Sequence, residues 1–181
     1  MRHIDTERLS LRPLLIADAT SLHDLWTSAG VRKYLWDDEI ISLEQTEEIV
    51  LKSKELFEKE GTGLWAVMIH GADELIGFSG YWYFQDPPEL ELLYGIRENC
   101  WGRGYASEAA AAILKYGFAE LSFSQVLAST DAANIASIRV MEKLGMKYRQ
   151  RVSKDKTDLV YYVLPRQTYD PGSSIGKSDL A

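Results

Sequence analysis

The chain has 181 residues, of which 46% are hydrophobic and 26% are charged, and its formal net charge is −7. This length predicts one domain with a substantial core. The acidic balance argues against general nucleic-acid binding, which relies on a basic face. No apolar run approaches the roughly 20 residues of a membrane span, and the charged N-terminal stretch does not resemble a signal peptide, so we expect no membrane association and a cytoplasmic location.

The first part of the chain predicts a strand followed by a helix. Residues Thr6 to Pro13 alternate between apolar and polar side chains, which is typical of a half-buried strand. Asp18 is positioned to open an amphipathic helix, and Gly30 is expected to end it.

A second long helix is predicted after a stretch without a clear pattern, Val31 to Trp36. Ser42 and Gln45 have the spacing of a capping box, in which each side chain bonds the other residue's backbone N–H. We expect the helix to run from this box to Gly61.

Four strands are predicted in the middle of the chain. Leu64 to Ile69 and Leu75 to Phe84 are rich in β-favouring residues around a polar turn, which predicts an antiparallel hairpin. Leu90 to Ile96 and Val126 to Thr130 are the next strands.

The remaining elements are two helices and a pair of strands. Ala106 to Leu114 is helix-favouring, and Asn134 and Gly145 are suited to cap the start and end of another helix. Lys147 to Val152 and Leu159 to Leu164 form the last two strands. The order of elements predicts a mixed α/β domain without repeats.

The turn before the Ala106 helix contains Gly102 and Gly104. A strand that leads into a glycine-rich helix N-terminus is suited to hold phosphate, because free N–H groups and the helix dipole favour an anion. The spacing matches neither a dinucleotide fingerprint nor a P-loop. From the residues alone, a phosphate site and an ordinary tight turn both stay open.

Two separated segments resemble motifs of the GNAT superfamily of acetyl-CoA-dependent N-acetyltransferases, and its branch of ribosomal-protein N-terminal acetyltransferases in particular. They are Trp101 to Ala109, WGRGYASEA, and Asn134 to Met146, NIASIRVMEKLGM. A Thr-Glu-Arg-Leu start at Thr6 and the Ile76-Gly77-Phe78 strand also fit that pattern.

The resemblance implies an α/β fold of the α+β kind, the GNAT fold. Its sheet is mixed and mainly antiparallel, with about six to seven strands, and is splayed between the fourth and fifth strands, with about four flanking helices. The domain is expected to span residues 1–169, and residues 170–181 are expected to form a flexible tail.

Acetyl-CoA is the co-substrate that the resemblance implies, held in the wedge of the splayed sheet. Main-chain N–H groups from Gly102 to Ser107 would bind its pyrophosphate, with Arg103 as a supplementary charge. A main-chain N–H near Leu93 or Tyr94 would polarise the thioester carbonyl. The residues expected to bind the co-substrate are Leu93, Tyr94, Ile96, Trp101, Gly102, Arg103, Gly104, Tyr105, Ala106, Ser107, Asn134 and Ser137.

Glu91 is the candidate general base, because an ammonium has no lone pair and must lose a proton before it attacks. Strand alternation places Glu89, Glu91 and Leu93 on one face, and many relatives carry a glutamate on this strand. The alternative is that this face is a solvated strand surface. The acidic segment Asp37 to Glu39 could also hold an amine, but a solvated loop is the preferred interpretation of it.

Ser137 is the candidate proton donor to the departing CoA thiolate. Many relatives use a tyrosine on this helix, but Met141 occupies that position here. The branch resembled here carries a serine that matches Ser137. Asn134 is expected to bond the pantetheine arm, with helix capping as the alternative.

No metal site is expected, because His3, His23 and His70 are scattered and the single Cys100 has no cluster of partner ligands. No histidine-carboxylate pattern near Cys100 supports a nucleophile. Two function classes follow. The first is an N-acetyltransferase that acts on a protein N-terminal amine or a small-molecule amine, and the second is a non-catalytic acyl-CoA-binding module. A monomer or a homodimer is expected.

Overall fold

The computed structural model describes residues 2–84, 87–154 and 157–170, and these contain eight β-strands and five α-helices. The strands are β1 (Ile4–Asp5), β2 (Leu9–Pro13), β3 (Leu64–Ile69), β4 (Leu75–Phe84), β5 (Glu89–Ile96), β6 (Gln125–Asp131), β7 (Lys147–Lys154) and β8 (Thr157–Pro165). The helices are α1 (Ala19–Thr27), α2 (Ala29–Leu35), α3 (Leu43–Glu60), α4 (Tyr105–Ala119) and α5 (Ile135–Lys143).

All eight strands form one sheet in the order β1-β2-β3-β4-β5-β6-β8-β7. The pair β5–β6 is parallel and the other pairs are antiparallel. This confirms the predicted mixed, mainly antiparallel α/β fold. The sheet has one strand more than predicted, because the two-residue β1 pairs with β2 through Ile4 and Leu11.

The prediction that Gly30 ends the first helix is wrong. The break falls at Ser28, whose extended backbone separates α1 from α2, and Gly30 lies inside α2. The N–H of Gly30 donates to Oε1 of Glu98 at 2.7 Å, so a residue far along the chain holds the start of α2. Helix α2 is therefore the element that the unclear segment from Val31 to Trp36 had concealed.

The predicted helix caps are present at the starts of α3 and α5. Ser42 and Gln45 exchange the two hydrogen bonds of a capping box at the start of α3, which ends at Gly61 with φ 74°. Asn134 Oδ1 accepts from the Ser137 N–H at 3.2 Å at the start of α5. Gly145, with φ 81°, follows that helix in the left-handed conformation that glycine adopts without strain.

The two faces of the sheet pack into different hydrophobic clusters. One cluster joins the sheet to α4 through residues such as Ile113 and Leu114, and the other joins it to α1 through Leu25 and Trp26. On β5, Leu92 and Tyr94 lie on the α4 face, and Leu93 lies on the α1 face, as alternation along a strand requires. The two faces of β5 thus pack against different layers of helices.

The sheet opens between β5 and β6. Strand β5 pairs with β4 in continuous register from Glu89 to Ile96, but it pairs with β6 at a single position, Glu91 with Leu127. Beyond that position the two parallel strands diverge toward their carboxyl ends. The structure therefore has the splay that the resemblance implied, with β5 and β6 in the places of the family's fourth and fifth strands.

Within the described ranges, no helix is both long enough and apolar enough to cross a bilayer. The predicted C-terminal tail beyond Asp170 lies outside the described residues.

Candidate active site

A cleft of about 500 Å³ occupies the opening between β5 and β6. Its walls come from the turn before α4, from the starts of α4 and α5, and from α2. Most of the predicted co-substrate residues line it: Leu93, Tyr94, Ile96, Trp101, Gly102, Gly104, Tyr105, Ala106, Ser107, Asn134 and Ser137. Arg103 and Glu91, both within the described part of the chain, do not appear among the lining residues.

The N-terminus of α4 is open toward this cleft. Gly104 is its N-cap residue and has no side chain to accept a hydrogen bond, and the first N–H bonded back into the helix is that of Glu108, to Gly104 O at 3.0 Å. Gly102 and Gly104 have φ values of 74° and 78°, which glycine adopts without strain. The N–H groups from Tyr105 to Ser107 are thus available to an anion in the cleft.

Arg8 holds this turn from outside the cleft. Its Nη1 donates to the carbonyl oxygen of Arg103 at 2.9 Å, and its Nε donates to Glu108 Oε2 at 2.7 Å. The guanidinium also lies 4.8 Å from the ring centre of Tyr105. Sequence analysis missed this role of Arg8. The family resemblance of the segment that starts at Thr6 was the single feature of the sequence that pointed to this segment.

Glu108 is a structural partner and not a phosphate ligand. Its Oε1 accepts from Thr6 Oγ1 at 2.6 Å and from the Arg8 N–H at 2.8 Å. Burial alone would raise the pKa of Glu108, but the hydrogen bonds from Thr6 and Arg8 together bring that pKa below its ordinary value. The carboxylate therefore stays charged and fastens the first turn of α4 to the segment before β2.

Helix α2 forms the third wall of the cleft and packs against the turn before α4. Besides the bond from Gly30 to Glu98, a Cβ on Gly30 would lie 2.6 Å from Trp101 Cη2. Trp101 is 53% exposed and donates from Nε1 to Ile96 O at 2.5 Å. The α2 side chains that reach the cleft are apolar or aromatic: Val31, Tyr34 and Leu35.

Strands β5 and β6 form a fork that is closed where Glu91 pairs with Leu127 and open toward the cleft. Glu91 therefore lies at the closed end of the fork. The interpretation of its strand face as solvated is wrong at this residue. The side chain is 2% exposed, and its Oε2 accepts from Ser129 Oγ at 2.5 Å. Ser129, on β6, lines the cleft. The carboxylate therefore reaches the cleft through a hydroxyl that sequence analysis did not identify.

Ser137 is bonded to a second hydroxyl across the fork. The Tyr94 hydroxyl lies 2.9 Å from Ser137 Oγ and donates to Ser137 O at 3.1 Å. Burial raises the pKa of Tyr94 well above its ordinary value, and this outweighs the lowering effect of the Ser137 hydrogen bond. Tyr94 therefore stays protonated. Sequence analysis had assigned it a main-chain role alone.

The start of α5 supplies further groups. Asn134 caps the helix with Oδ1 and also lines the cleft, so capping and ligand contact are compatible. Met141 is fully buried in the core, and its thioether has no proton to donate to the cleft. Arg139 is an additional lining residue that places a positive charge at the cleft, and no pattern in the sequence had singled it out.

The acidic segment Asp37 to Glu39 lies near the carboxyl end of β6. Burial raises the pKa of Asp131, and the nearby charge of Asp37 adds to the effect. Asp38 is paired with Arg32, whose Nε donates at 2.9 Å. Within the described residues, no group of three or more histidine, cysteine or acidic side chains is arranged to hold a metal ion.

Comparison with known proteins agrees with this geometry. Residues 8–147 match the model of the acetyltransferase (GNAT) domain. The uncharacterized protein YkkB of Bacillus subtilis is 32% identical over 168 residues, which is 91% of this chain and 95% of that protein. The uncharacterized N-acetyltransferase YnaD of the same organism is 31% identical over 145 residues, covering 80% and 82% of the two chains.

Solved structures share the fold. A GNAT-family acetyltransferase from Bacillus anthracis superposes with a TM-score of 0.77 at 28% identity, over 92% of this chain and 99% of that one. RimL, a ribosomal-protein α-N-acetyltransferase solved with coenzyme A, has a TM-score of 0.79 at 16% identity over 92% and 99%. The splayed sheet, the open helix N-terminus and the domain match lead to one conclusion: the chain belongs to the acetyl-CoA-dependent N-acetyltransferases of the GNAT family.

Proposed function

We propose that the protein transfers the acetyl group of acetyl-CoA directly to an amine, with a protein N-terminal α-amine as the acceptor. The observation that carries this proposal is the open N-terminus of α4, which faces the same cleft that Glu91 reaches through Ser129. An anion site and a buried carboxylate at one cleft are what acetyl transfer to an amine requires.

The described residues fit acetyl-CoA, which supplies the activated acetyl thioester. The uncapped N–H groups from Tyr105 to Ser107 suit a pyrophosphate, and Arg139 adds a positive charge at the cleft. Asn134 lies where it could bond an amide of the pantetheine arm. Arg103 does not line the cleft, and its carbonyl oxygen accepts from Arg8, so we assign the pyrophosphate to the main-chain N–H groups and not to the Arg103 side chain.

The reacting groups lie on β5 and at the start of α5. Glu91 takes the proton of the amine, whose nitrogen then attacks the thioester carbonyl. Beyond Glu91, β5 has no partner strand on its β6 side within the described residues, so of Leu93 and Tyr94 the residue whose main-chain N–H points to that edge can stabilise the oxyanion. Ser137 gives its proton to the departing thiolate, and the second proton of the attacking nitrogen, which is lost as the amide forms, restores the Ser137 hydroxyl. Its neighbour Tyr94 is protonated at physiological pH.

Two observations support an N-terminal amine as the acceptor. The motifs resemble those of ribosomal-protein N-terminal acetyltransferases, and RimL is a structural neighbour. In addition, the α2 wall of the cleft is apolar and aromatic, which suits an amine flanked by a residue side chain better than a polyamine with a second cation.

The buried Met141, in place of the tyrosine of many relatives, favours a second candidate, a non-catalytic acyl-CoA-binding module.

An acceptor panel tests the proposal. Thiol release from acetyl-CoA is measured with peptides that have free N-termini, with the same peptides acetylated at the N-terminus, and with spermidine and an aminoglycoside. We expect release with the free peptides and none with the blocked ones. Release with the small amines alone would mean that the acceptor is a small-molecule amine and not a protein N-terminus. Tight acetyl-CoA binding without any acceptor-dependent release would favour the binding module.

Substitution of Glu91 tests the base. Glu91→Gln keeps the size of the side chain but cannot accept the proton, so kcat is expected to fall about 100-fold where the amine is mostly protonated, and less at higher pH. The pH–rate profile of the panel's best acceptor measures this effect. Glu89→Gln, on the same strand and face, is the matched control and is expected to keep the wild-type profile. An unaltered profile in Glu91→Gln would contradict the assignment.

A further inference from the structure

Ser129 separates the buried carboxylate from the cleft. Glu91 is 2% exposed and is not among the lining residues, whereas Ser129 lines the cleft and donates from Oγ to Glu91 Oε2 at 2.5 Å. The two strands meet at Glu91 and Leu127, and Ser129 follows on the same face of β6 as Leu127, at the point where the fork opens. A group in the cleft therefore meets the Ser129 hydroxyl before it meets Glu91.

We propose that Ser129 is a catalytic residue that carries the proton of the acceptor amine to Glu91, an inference that rests on the proposed base role of Glu91. The amine proton passes to Ser129 Oγ while the proton already on that oxygen passes to Glu91 Oε2. The nitrogen keeps the electron pair of the broken N–H bond and uses it to attack the thioester carbonyl. Ser129 is again a neutral hydroxyl, Glu91 is a neutral acid, and its proton returns to solvent through Ser129 after the product leaves.

A hydroxyl suits this position because it donates and accepts at the same atom. The bond to Glu91 fixes the direction of the Ser129 proton, which leaves the lone pairs of Oγ for the N–H of an amine. The backbone of Ser129 is itself fixed by pairing with Tyr161 on β8. The relay is thus held between two strands and does not depend on a mobile side chain.

Titratable groups near Glu91 include Glu89 and Tyr161. Glu89 precedes it on β5, and Tyr161 faces it from β8. Burial raises the pKa of Tyr161, and the negative charges of Glu91 and Glu89 raise it further, so Tyr161 stays neutral near pH 7. Ionisation of Tyr161 therefore does not contribute to the pH dependence of the relay near pH 7.

Kinetics of single and double variants test the relay. Ser129→Ala is expected to lower kcat about 100-fold, with the loss largest where the amine is protonated, while the Kd for acetyl-CoA, measured by calorimetry, stays the same. Ser129→Thr keeps the hydroxyl on a β-branched residue that suits a strand, and it is expected to restore most of the rate. Ser10→Ala, on β2 and away from the cleft, is the matched control.

The double variant Ser129→Ala with Glu91→Gln decides whether the two residues act on one proton. Residues of one relay are not additive, so the double variant is expected to be no slower than Glu91→Gln alone. Additive losses, or a wild-type rate and pH profile in Ser129→Ala, would overturn the relay. The base role of Glu91 would still stand in that case if Glu91→Gln altered the pH–rate profile. A wild-type profile in Glu91→Gln would overturn the base and the relay together.

Discussion

The two edges of β5 serve opposite purposes. On the β4 side the strand is paired along its whole length, and a Cβ on Gly77 would lie 2.4 Å from Gly95 O, so the two backbones are in close contact. On the β6 side the strand has one register pair, Glu91 with Leu127. One edge stabilises the sheet, and the other leaves backbone groups and side chains available to ligands.

Side chains cross the gap where the backbone ladder is missing. Glu91 and Ser129 are bonded near the closed end of the fork, and Tyr94 and Ser137 are bonded nearer its open end. These two bridges contain the proposed base, its relay and the proposed acid. The open edge should therefore lose activity on substitution with little loss of stability, and the closed edge should show the reverse.

Ser137→Ala tests the open edge and is expected to have the largest effect. Loss of the proton donor should lower kcat about 100-fold, equivalent to about 2.7 kcal/mol of barrier, because the CoA thiolate then leaves without a proton from the enzyme. Steady-state kinetics measures the rate, and thermal unfolding should show little change. Tyr94→Phe removes the partner hydroxyl and so separates the role of Tyr94 from that of Ser137. A wild-type rate in Ser137→Ala would exclude Ser137 as the acid.

Gly77→Ala tests the closed edge. The added methyl would clash with Gly95 O and with Ile96, so β4 and β5 must move apart, and the free energy of unfolding is expected to fall by about 2 kcal/mol. Urea unfolding measures this loss. Unaltered stability would mean that the close contact on this edge contributes nothing.

Glu108→Gln tests the contact that fastens the first turn of α4 to the segment before β2, and it is expected to have the smallest effect. Loss of charge weakens the bonds from Thr6 and Arg8 and should lower the free energy of unfolding at pH 7 by about 1 kcal/mol. Because the folded-state pKa of Glu108 is lowered, the charged form stabilises the wild type above the ordinary value of 4.5. The difference between the two proteins should shrink as the pH falls below that value, and a constant difference would contradict the role of the charge.

Local chemistry made much of this fold predictable. The hairpin of β3 and β4 was predicted with its bounds, because two β-rich runs flank a polar turn. The caps at Ser42 and Asn134 and the left-handed Gly145 follow from interactions within a few residues. Eleven of the 24 residues that line the cleft lie in the two motifs with recognisable spacing, so the resemblance located those eleven.

Contacts between distant segments made the rest unpredictable. Helix α2 begins with Ala29 and Gly30, a poor helical start, and depends on Glu98 from another part of the chain. Alternation gave the correct face for Glu91 but could not show that its side chain is buried and bonded to Ser129 on β6. Arg8 stabilises the turn before α4 through a pairing with Glu108 that no local pattern contains.

The most direct test of the central claim, that the open N-terminus of α4 binds the co-substrate, is the affinity of Gly104→Val for CoA, measured by calorimetry. Gly104 and Gly71 have nearly equal φ values of 78° and 77°, and a Cβ on Gly71 would meet nothing within 4 Å. Gly71→Val therefore reproduces the backbone strain on the β3–β4 turn, away from the cleft. The account predicts that Gly104→Val raises the Kd for CoA at least about tenfold, or about 1.4 kcal/mol, and that Gly71→Val leaves it unaltered. Equal affinities in the two variants would contradict it.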